Sequence, residues 1–303
     1  MQPVRPSAFK IHLSLFIVAA IYAVSYTLAK EVMPSHIQPK GFILLRIIGA
    51  LICIYIYHAV FIREKVTSVR DYLHLALCAF FGVALNMIMF FEGLSRTSPI
   101  HAPLIMVTTP ILVLVIGFLL GSEKLTILKI FGVVLGTIGA GLLISGRGVA
   151  TDREATFWGD VMIAINAASF AVYLVIVKPL MKKYHPITVS LWTFIFGFLF
   201  VLPVGYRELA VVSWDTLSLT HWAIIAFTVF CTTFLAYTLN AWAIQYVKSS
   251  VVGSYIYLQP VLGIAIAVST GKYTLHWWHL FYAILIFAGV YLVSRKSNER
   301  LNE

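Results

Sequence analysis

One arginine lies inside an otherwise apolar run, and it is the first side chain in the sequence that could do chemistry. Arg46 follows the start of the run at residues 41–61 by only a few positions. An ionisable group in such surroundings is costly and usually faces a protein interior or a watery cavity. Two interpretations are open: Arg46 recognises a charged substrate or gates its passage, or it holds helices together through an ion pair or a carbonyl contact. Glu92 could be its partner, or could contact Arg96 one turn further on.

Uncharged polar and aromatic side chains recur in these apolar runs at helical spacing. Thr233, Tyr237 and Asn240, for example, are spaced i, i+4, i+7 and share one helix face. An amide in lipid is costly unless it is paired, so these faces should turn inward, where some groups would serve only as hydrogen bonds between helices. Together they favour a cavity for a zwitterionic, aromatic or moderately polar small molecule, because phosphates would call for several Arg or Lys side chains. The candidate substrate-binding residues are Tyr22, Tyr26, Asn86, Phe90, His101, Thr108, Asn166, Tyr173, Thr233, Tyr237, Asn240, Tyr255 and Gln259.

A histidine stands at the start of the apolar run at residues 100–120. His101 shares a helix face with Ile105 and Thr108. Because histidine titrates near neutral pH, a role in proton coupling is one interpretation. A hydrogen-bonded histidine at a helix start is the commoner alternative, so proton linkage is an open part of the functional prediction.

Motifs of catalysis and metal binding are missing from the sequence. Cys53, Cys78 and Cys231 stand alone in apolar runs without CxxC spacing, which indicates neither a zinc site nor a disulfide framework. The sequence has no HExxH, no GxSxG and no nucleotide-binding P-loop, and no selectivity-filter sequence that would favour a channel. We therefore expect no enzyme activity, no cofactor and no metal. The alternative is an intramembrane enzyme or a membrane scaffold without transport activity.

Apolar runs dominate the composition. Of the 303 residues, 60% are hydrophobic and 11% are charged, whereas a typical soluble domain is about 25% charged. A membrane helix needs about 20 mostly apolar residues, so the sequence predicts an all-α polytopic membrane protein. The first run is long for a signal peptide, and we expect it to be a membrane helix. The ten predicted transmembrane helices cover residues 11–29, 41–61, 72–92, 100–120, 128–146, 158–178, 187–205, 221–241, 249–269 and 277–294.

The two halves of the chain match each other in order at a nearly constant offset. Lys30, for example, corresponds to Lys178 at an offset of 148 residues. We expect two units, 1–150 and 151–303, with five membrane helices each. Because five is odd, the second unit must enter the membrane from the opposite side. That arrangement is an inverted repeat, the architecture of many secondary transporters.

Basic residues are distributed unevenly over the short loops. With the N-terminus inside the cell, the cytoplasmic loops carry about twice as many Lys and Arg residues as the opposite loops, which is the usual bias. We therefore expect both termini in the cytoplasm. The net charge of +10 is scattered over many loops and forms no single basic face, so no nucleic-acid partner is expected. The expected partners are a small-molecule substrate and the lipid bilayer.

Small residues and prolines mark positions of close packing and of helix breaks. Gly132 and Gly136 form a GxxxG pattern, which permits close helix contact within the fold or between chains. The chain is accordingly expected to be a monomer or a homodimer. Pro110 and Pro260 occupy corresponding positions of the two halves, where each could kink its helix as part of a gate or as a static feature.

Several of these segments resemble the EamA-type ten-helix exporters of the drug/metabolite transporter superfamily. The first half carries LLRIIGAL around Arg46 and then TSPIHAPLIMVTTPILVLVIGFLLGSEKLT, and the second half carries KSSVVGSYIYLQPVLGIAIAVSTGKYTL. The resemblance covers nearly the whole chain and implies inverted five-helix repeats, a central cavity and export of metabolites or drugs. Two positions depart from it: Tyr273 stands where the first half has Glu123, and Phe194 stands near the mirror position of Arg46.

These patterns together predict a secondary transporter in the cell (inner) membrane. It would export small metabolites, such as amino acids or related amphiphilic compounds, and drugs, by alternating access. Arg46 and Glu92 are the candidate gating or structural charges, and each occurs once per chain.

Overall fold

The structure is a computed structural model that describes residues 6–97, 101–145, 156–269 and 277–294. Every regular element in these ranges is a helix, and none of the described residues forms a strand. Helix α4 and helix α9 each contain an interruption, and each is labelled as a single element. The helices are α1 Ala8–Val32, α2 Pro39–Ile62, α3 Val69–Arg96, α4 His101–Met106 with Thr109–Leu119, α5 Ile127–Ser145, α6 Phe157–Lys183, α7 Pro186–Ala210, α8 Leu219–Ile244, α9 Ser249–Ser254 with Tyr255–Tyr257 and Leu258–Ser269, and α10 Trp277–Ser294.

Six of these helices are long and apolar enough to cross a membrane: α1, α2, α3, α6, α7 and α8. Shorter apolar helices lie in α4, α5 and α10. The all-helical, multi-pass architecture predicted from hydropathy is therefore confirmed. The number of ten spans and the cytoplasmic position of both termini stay predictions.

Two helices are interrupted next to their prolines. Pro110 stands in the first turn of the second part of α4, directly after the break at residues 107–108. In α9 the 3-10 turn Tyr255–Tyr257 precedes the helix that contains Pro260. A proline is tolerated in the first turn of a helix but removes a hydrogen bond further inside it. The helix breaks predicted at these corresponding positions are thus present in both halves.

Wide turns with i→i+5 hydrogen bonds interrupt α3 and α8 at corresponding positions. They cover Phe80–Ala84 in α3 and Thr228–Leu235 in α8. Such π-type turns shift the register of the side chains that follow them and are frequent at functional sites. The polar stripes of α3 and α8 lie within or directly after these turns, so the stripes cannot be read from ideal helix spacing alone.

Helices α2 and α7 are antiparallel and cap each other at both ends. The Oε2 atom of Glu208, near the end of α7, accepts hydrogen bonds from the backbone N–H groups of Lys40 and Gly41 at 2.7 and 3.0 Å. At the opposite end, Oε2 of Glu64 accepts from the N–H of His185, which precedes α7, at 2.8 Å. A carboxylate at a helix start satisfies free N–H groups and the positive end of the helix dipole. The same contact therefore occurs twice with the two helices exchanged.

A second contact is repeated between the two halves. The Nζ atom of Lys30, at the end of α1, donates to the carbonyl oxygen of Thr97 at 3.0 Å, just beyond α3. The Nζ atom of Lys178, near the end of α6, donates to the carbonyl oxygen of Val247 at 2.9 Å, just beyond α8. Each lysine thus binds a carbonyl at a helix C-terminus, where a cation is favoured.

Glycines allow α5 and α10 to pack backbone against backbone. Gly132 and Gly136 of the GxxxG pattern face Gly289 of α10, and Gly136 also faces the ring of Tyr257. The pattern therefore serves packing within the fold. Whether the chain is a monomer or a homodimer stays a prediction.

A methyl group at Gly289 should destabilise the protein. It would lie 2.7 Å from the carbonyl oxygen of Gly132 and 2.7 Å from the amide nitrogen of Gly136, and neither backbone atom can move away easily. We expect Gly289→Ala to cost about 1–3 kcal/mol, the usual range for overpacking. Gly141→Ala is the matched control, because a methyl group there meets no atom within 4 Å. Equal melting temperatures of the two variants in detergent would contradict this packing account.

Candidate functional site

A cavity lies between the helices of the two halves. Its walls come from α1, α2, α3 and α4 on one side and from α6, α8 and α9 on the other. Its volume is about 100 Å³. The predicted site residues that line it are Tyr22, Arg46, Asn86, Phe90, Asn166, Tyr237, Asn240, Tyr255 and Gln259.

Arg46 is buried at this cavity, with 3% of its surface exposed. Its Nε atom donates to Oγ1 of Thr233 at 3.0 Å. The guanidinium carbon lies 4.5 Å from the ring centroid of Phe91 and 5.9 Å from that of Phe42, within the range of cation–π contacts. The Nη1 atom has no hydrogen-bond partner among the described residues. Arg46 therefore has a fixed orientation and an unused donor.

The predicted pairing of Arg46 with Glu92 is wrong. Glu92 binds two other cations, with Oε1 3.2 Å from Nζ of Lys40 and Oε2 3.0 Å from Nη2 of Arg96. No carboxylate in the described ranges lies within ion-pair distance of Arg46. The alternative contact with Arg96 is the one that the structure contains. Lys40, which the sequence did not single out, joins Glu92 because α2 begins beside the end of α3.

Two asparagines hold α3 against α6 at the cavity wall. The Nδ2 atom of Asn166 donates to the carbonyl oxygen of Asn86 at 2.8 Å, and Nδ2 of Asn86 donates to the carbonyl oxygen of Asn166 at 3.5 Å. Because the amide nitrogen of Asn166 must point to this carbonyl, its Oδ1 atom is left without a donor. Both asparagines thus fulfil the interhelical role that the sequence left open, and both still line the cavity.

Two predicted residues lie behind the cavity wall. Thr233 supports Arg46 and donates its own hydroxyl hydrogen to the carbonyl oxygen of Thr228 at 2.8 Å. The wide turn in α8 rotates Thr233 away and brings the neighbouring Thr232 to the cavity instead. Tyr173 is buried between α6 and α3, where its ring packs on Gly82. The expectation for Thr233 assumed regular helix spacing, which the wide turn of α8 disturbs.

Three further predicted residues do not contribute a described side chain to the cavity. Thr108 is exposed at the break in α4, and its hydroxyl donates to the carbonyl oxygen of Ile105 at 2.7 Å. The predicted stripe through Ile105 and Thr108 is therefore wrong. The side chains of Tyr26 and His101 lie outside the described part of the structure.

Several cavity residues were missed in the sequence. Phe91, Met87 and Met106 supply apolar wall, which a sequence of apolar helices cannot distinguish from ordinary core. The Nδ1 atom of His12, on the same helix as Tyr22, lies 2.6 Å from the hydroxyl oxygen of the cavity residue Tyr255. Only this shared helix could have indicated the contact.

Charged clusters lie at the two opposite ends of the helix bundle. The Glu92 end contains Glu92, Lys40 and Glu208, with Nζ of Lys40 3.6 Å from Oε1 of Glu208. The Glu123 end contains Glu123 and Lys129, with 5% and 4% of their surfaces exposed. Helix α6 connects the two ends, because it starts beside the end of α3 and finishes near the start of α9.

Glu123 joins the loop after α4 to the start of α9. Its Oε2 atom lies 2.5 Å from Nζ of Lys129 and accepts from the hydroxyl of Ser250 at 2.5 Å, while Oε1 accepts from the N–H of Ser250 at 2.8 Å. Burial by itself would raise the pKa of Glu123, but the hydrogen bonds from Lys129 and Ser250 outweigh burial and hold the pKa below its ordinary value. This carboxylate therefore stays ionised and links the two halves. Within the described ranges, no group of three or more His, Cys, Asp or Glu side chains could hold a metal ion.

The sequence pattern of the EamA-like transporter family matches the chain twice, at residues 9–145 and 157–295. The chain belongs to the EamA-like transporter family. It is 25% identical to an uncharacterized transporter of Archaeoglobus fulgidus over 77% of this chain and 79% of the relative. It is also 25% identical to the uncharacterized transporter YyaM of Bacillus subtilis, over 74% of this chain and 72% of that protein. The chain is thus a multi-pass membrane transporter.

A solved crystal structure shares the fold of this EamA-like chain. It covers 95% of this chain and 97% of its own length with a TM-score of 0.75, at 16% sequence identity. The likeness at this identity concerns the fold alone. The contacts at the cavity therefore have to be interpreted from the residues of this chain.

Proposed function

We propose that this transporter moves small amphiphilic metabolites through the cavity by alternating access and exports them across the cell (inner) membrane. Amino acids and related compounds are the substrates that the lining suits best, with drugs of similar size as further candidates. One observation carries the proposal: uncharged amides, hydroxyls and aromatic rings from both halves surround one cavity. Binding sites for small molecules typically combine apolar walls with a few placed polar groups.

The repeated contacts support the alternating-access part of the proposal. The glutamate caps between α2 and α7, the lysine contacts to Thr97 and Val247, and the wide turns of α3 and α8 all occur once in each half. Two similar halves around one site can close either end at similar free energy, as in other transporters with inverted repeats.

The experiment is a flux screen in liposomes that contain the purified chain. Labelled amino acids and cationic drugs are tested with and without a pH gradient. Saturable flux of at least one amphiphilic metabolite supports the proposal, whereas no flux of any compound under any gradient would contradict it. Flux that ignores the pH gradient, together with full activity of His101→Gln, would remove proton linkage.

Two conservative variants at the cavity should change substrate affinity. Asn86→Leu removes an amide from the cavity wall, and Tyr237→Phe removes a hydroxyl that donates to the carbonyl oxygen of Gly82 at 3.2 Å. In our proposal each of these groups also forms a hydrogen bond with the substrate, and the loss of one such bond typically costs about 0.5–1.5 kcal/mol. We therefore expect the KM of transport to rise several-fold. Unchanged KM values in both variants, at equal expression, would remove these residues from the site.

A further inference from the structure

Among the described residues, the cavity wall carries one charged side chain and none of opposite charge. Arg46 is the single charged residue among the described residues that line the cavity. Glu92 follows Phe91, on whose ring the guanidinium lies, but binds Lys40 and Arg96 instead. A buried cation in a membrane protein normally pairs with an anion or with backbone carbonyls. Here Arg46 has one hydroxyl partner through Nε and leaves Nη1 unpartnered in the described structure.

Two further unpartnered polar atoms belong to residues of the same cavity. They are Oδ1 of Asn166, a hydrogen-bond acceptor, and Oγ1 of Thr232, a hydroxyl that can donate or accept. Buried polar atoms without a partner are rare in native proteins and call for an explanation. Three of the seven such atoms in the described part of the structure belong to residues that line this cavity. A ligand with an anionic acceptor and a hydrogen-bond donor would satisfy the arginine and the asparagine.

We propose that Arg46 binds the carboxylate of the substrate, so that the substrates are small organic carboxylates that also carry a hydrogen-bond donor such as an amino group. The carboxylate would supply the counter-charge of Arg46, and the donor would bind Oδ1 of Asn166. This inference rests on the proposed transport function, because it assigns a charge and an orientation to the transported molecule. It excludes purely cationic drugs from this cavity.

The charge and size of the cavity favour a carboxylate over other anions. The guanidinium group of arginine binds carboxylates and phosphates alike, but a phosphate group carries up to about two negative charges, and the described lining of the cavity supplies one cation. A cavity of about 100 Å³ is several times larger than the roughly 10–15 Å³ that a single water molecule requires. That space suits a molecule of amino-acid size better than a halide ion. The rings of Phe90, Phe170 and Tyr255 would contact its apolar part.

The test compares amino acids with their C-terminal amides, which keep the side chain and the amino group but lose the carboxylate. The probes are leucine with leucinamide and phenylalanine with phenylalaninamide. Ligand-induced thermal stabilisation of the purified protein measures binding, and liposome flux measures transport. For the wild type we expect binding of the amides to be at least ten-fold weaker. Equal binding of both forms, or binding of neither, would overturn the inference without the need for any variant.

Arg46→Gln then tests the residue itself. We expect this variant to lose at least ten-fold in carboxylate affinity and to bind each acid and its amide about equally. Arg70→Gln, at an exposed arginine near the start of α3, is the matched control and should keep the wild-type ratio. A preserved preference for the acid in Arg46→Gln would overturn the inference. If Arg46→Gln still transports and keeps the wild-type preference for the acid over the amide, the transport proposal stands and the inference about Arg46 fails. If substrate binding depends on Arg46 but no flux is measured, the inference stands and the transport proposal fails.

Discussion

Replacing Glu123 with alanine is expected to lower the free energy of unfolding by about 3–5 kcal/mol, the usual cost of removing one partner of a buried ion pair. Lys129 lies 2.5 Å from this carboxylate, has 4% of its surface exposed, and would keep its charge in a site without a counter-ion. The N–H and hydroxyl of Ser250 would lose their acceptor as well. Chemical denaturation of the purified protein in detergent measures the loss.

A double variant separates the ion pair from the helix contact. In Glu123→Ala with Lys129→Met, no buried charge is left unpaired, so part of the stability should return. Glu31→Ala, at an exposed glutamate of α1, should have little effect. The lowered pKa of Glu123 also makes the free energy of unfolding depend on pH. The stabilisation by Glu123 is fully present above the ordinary glutamate pKa and is lost as the pH falls through the lowered pKa of the folded protein. Equal stability of Glu123→Ala and wild type would contradict the role of this carboxylate in joining the halves.

Filling the cavity from α1 should abolish transport. Val18 lines the cavity with 5% of its surface exposed. The indole ring of Val18→Trp is comparable in size to the cavity of about 100 Å³, so it would occupy the space that the substrate needs. We expect the flux of any transported amino acid to fall by more than about ten-fold, which corresponds to about 1.4 kcal/mol.

The adjacent residue provides the control for the filled cavity. Ile17 does not line the cavity and is 39% exposed on the outer side of α1. Ile17→Trp adds the same ring to the same helix and should retain the flux of the wild type at equal expression. If both variants transport equally well, the cavity is not the path of the substrate.

Hydropathy predicted the helices because a lipid-facing helix must be apolar over its whole length. It also identified Arg46, since a charge within an apolar run has to be buried, and the structure buries it. The sequence did not identify the residues that Arg46 contacts. Glu92 was a candidate because its predicted helix ends on the same outer side of the membrane. Its actual contact with Lys40 depends on where α2 starts relative to the end of α3.

The stripes of polar residues identified part of the cavity lining and failed at Thr233, Thr108 and Tyr173. Tyr255 and Gln259 reach the cavity, as do Tyr237 and Asn240. Thr233 does not, because the wide turn in α8 shifts the register, and Thr108 does not, because α4 breaks before Pro110. Neither a wide turn nor the direction of a break follows from helix spacing, since tertiary packing selects them.

The GxxxG pattern predicted a close helix contact without identifying the second helix. The GxxxG pattern at Gly132 and Gly136 left the partner helix open, and the structure supplies it through Gly289. The correspondence of Lys30 with Lys178 was visible in the sequence, whereas its use, a contact to a carbonyl beyond a neighbouring helix, required coordinates.

Counterflow in liposomes tests the central claim, transport by alternating access through this cavity, most directly. Liposomes with the purified wild type are loaded with an unlabelled amino acid, and uptake of the same labelled amino acid is measured without any other gradient. We predict saturable uptake that is faster with unlabelled substrate inside than without it, and no such acceleration in Val18→Trp. Uptake that rises linearly with concentration and is indifferent to internal substrate would contradict the account, as would acceleration that persists when the cavity is filled.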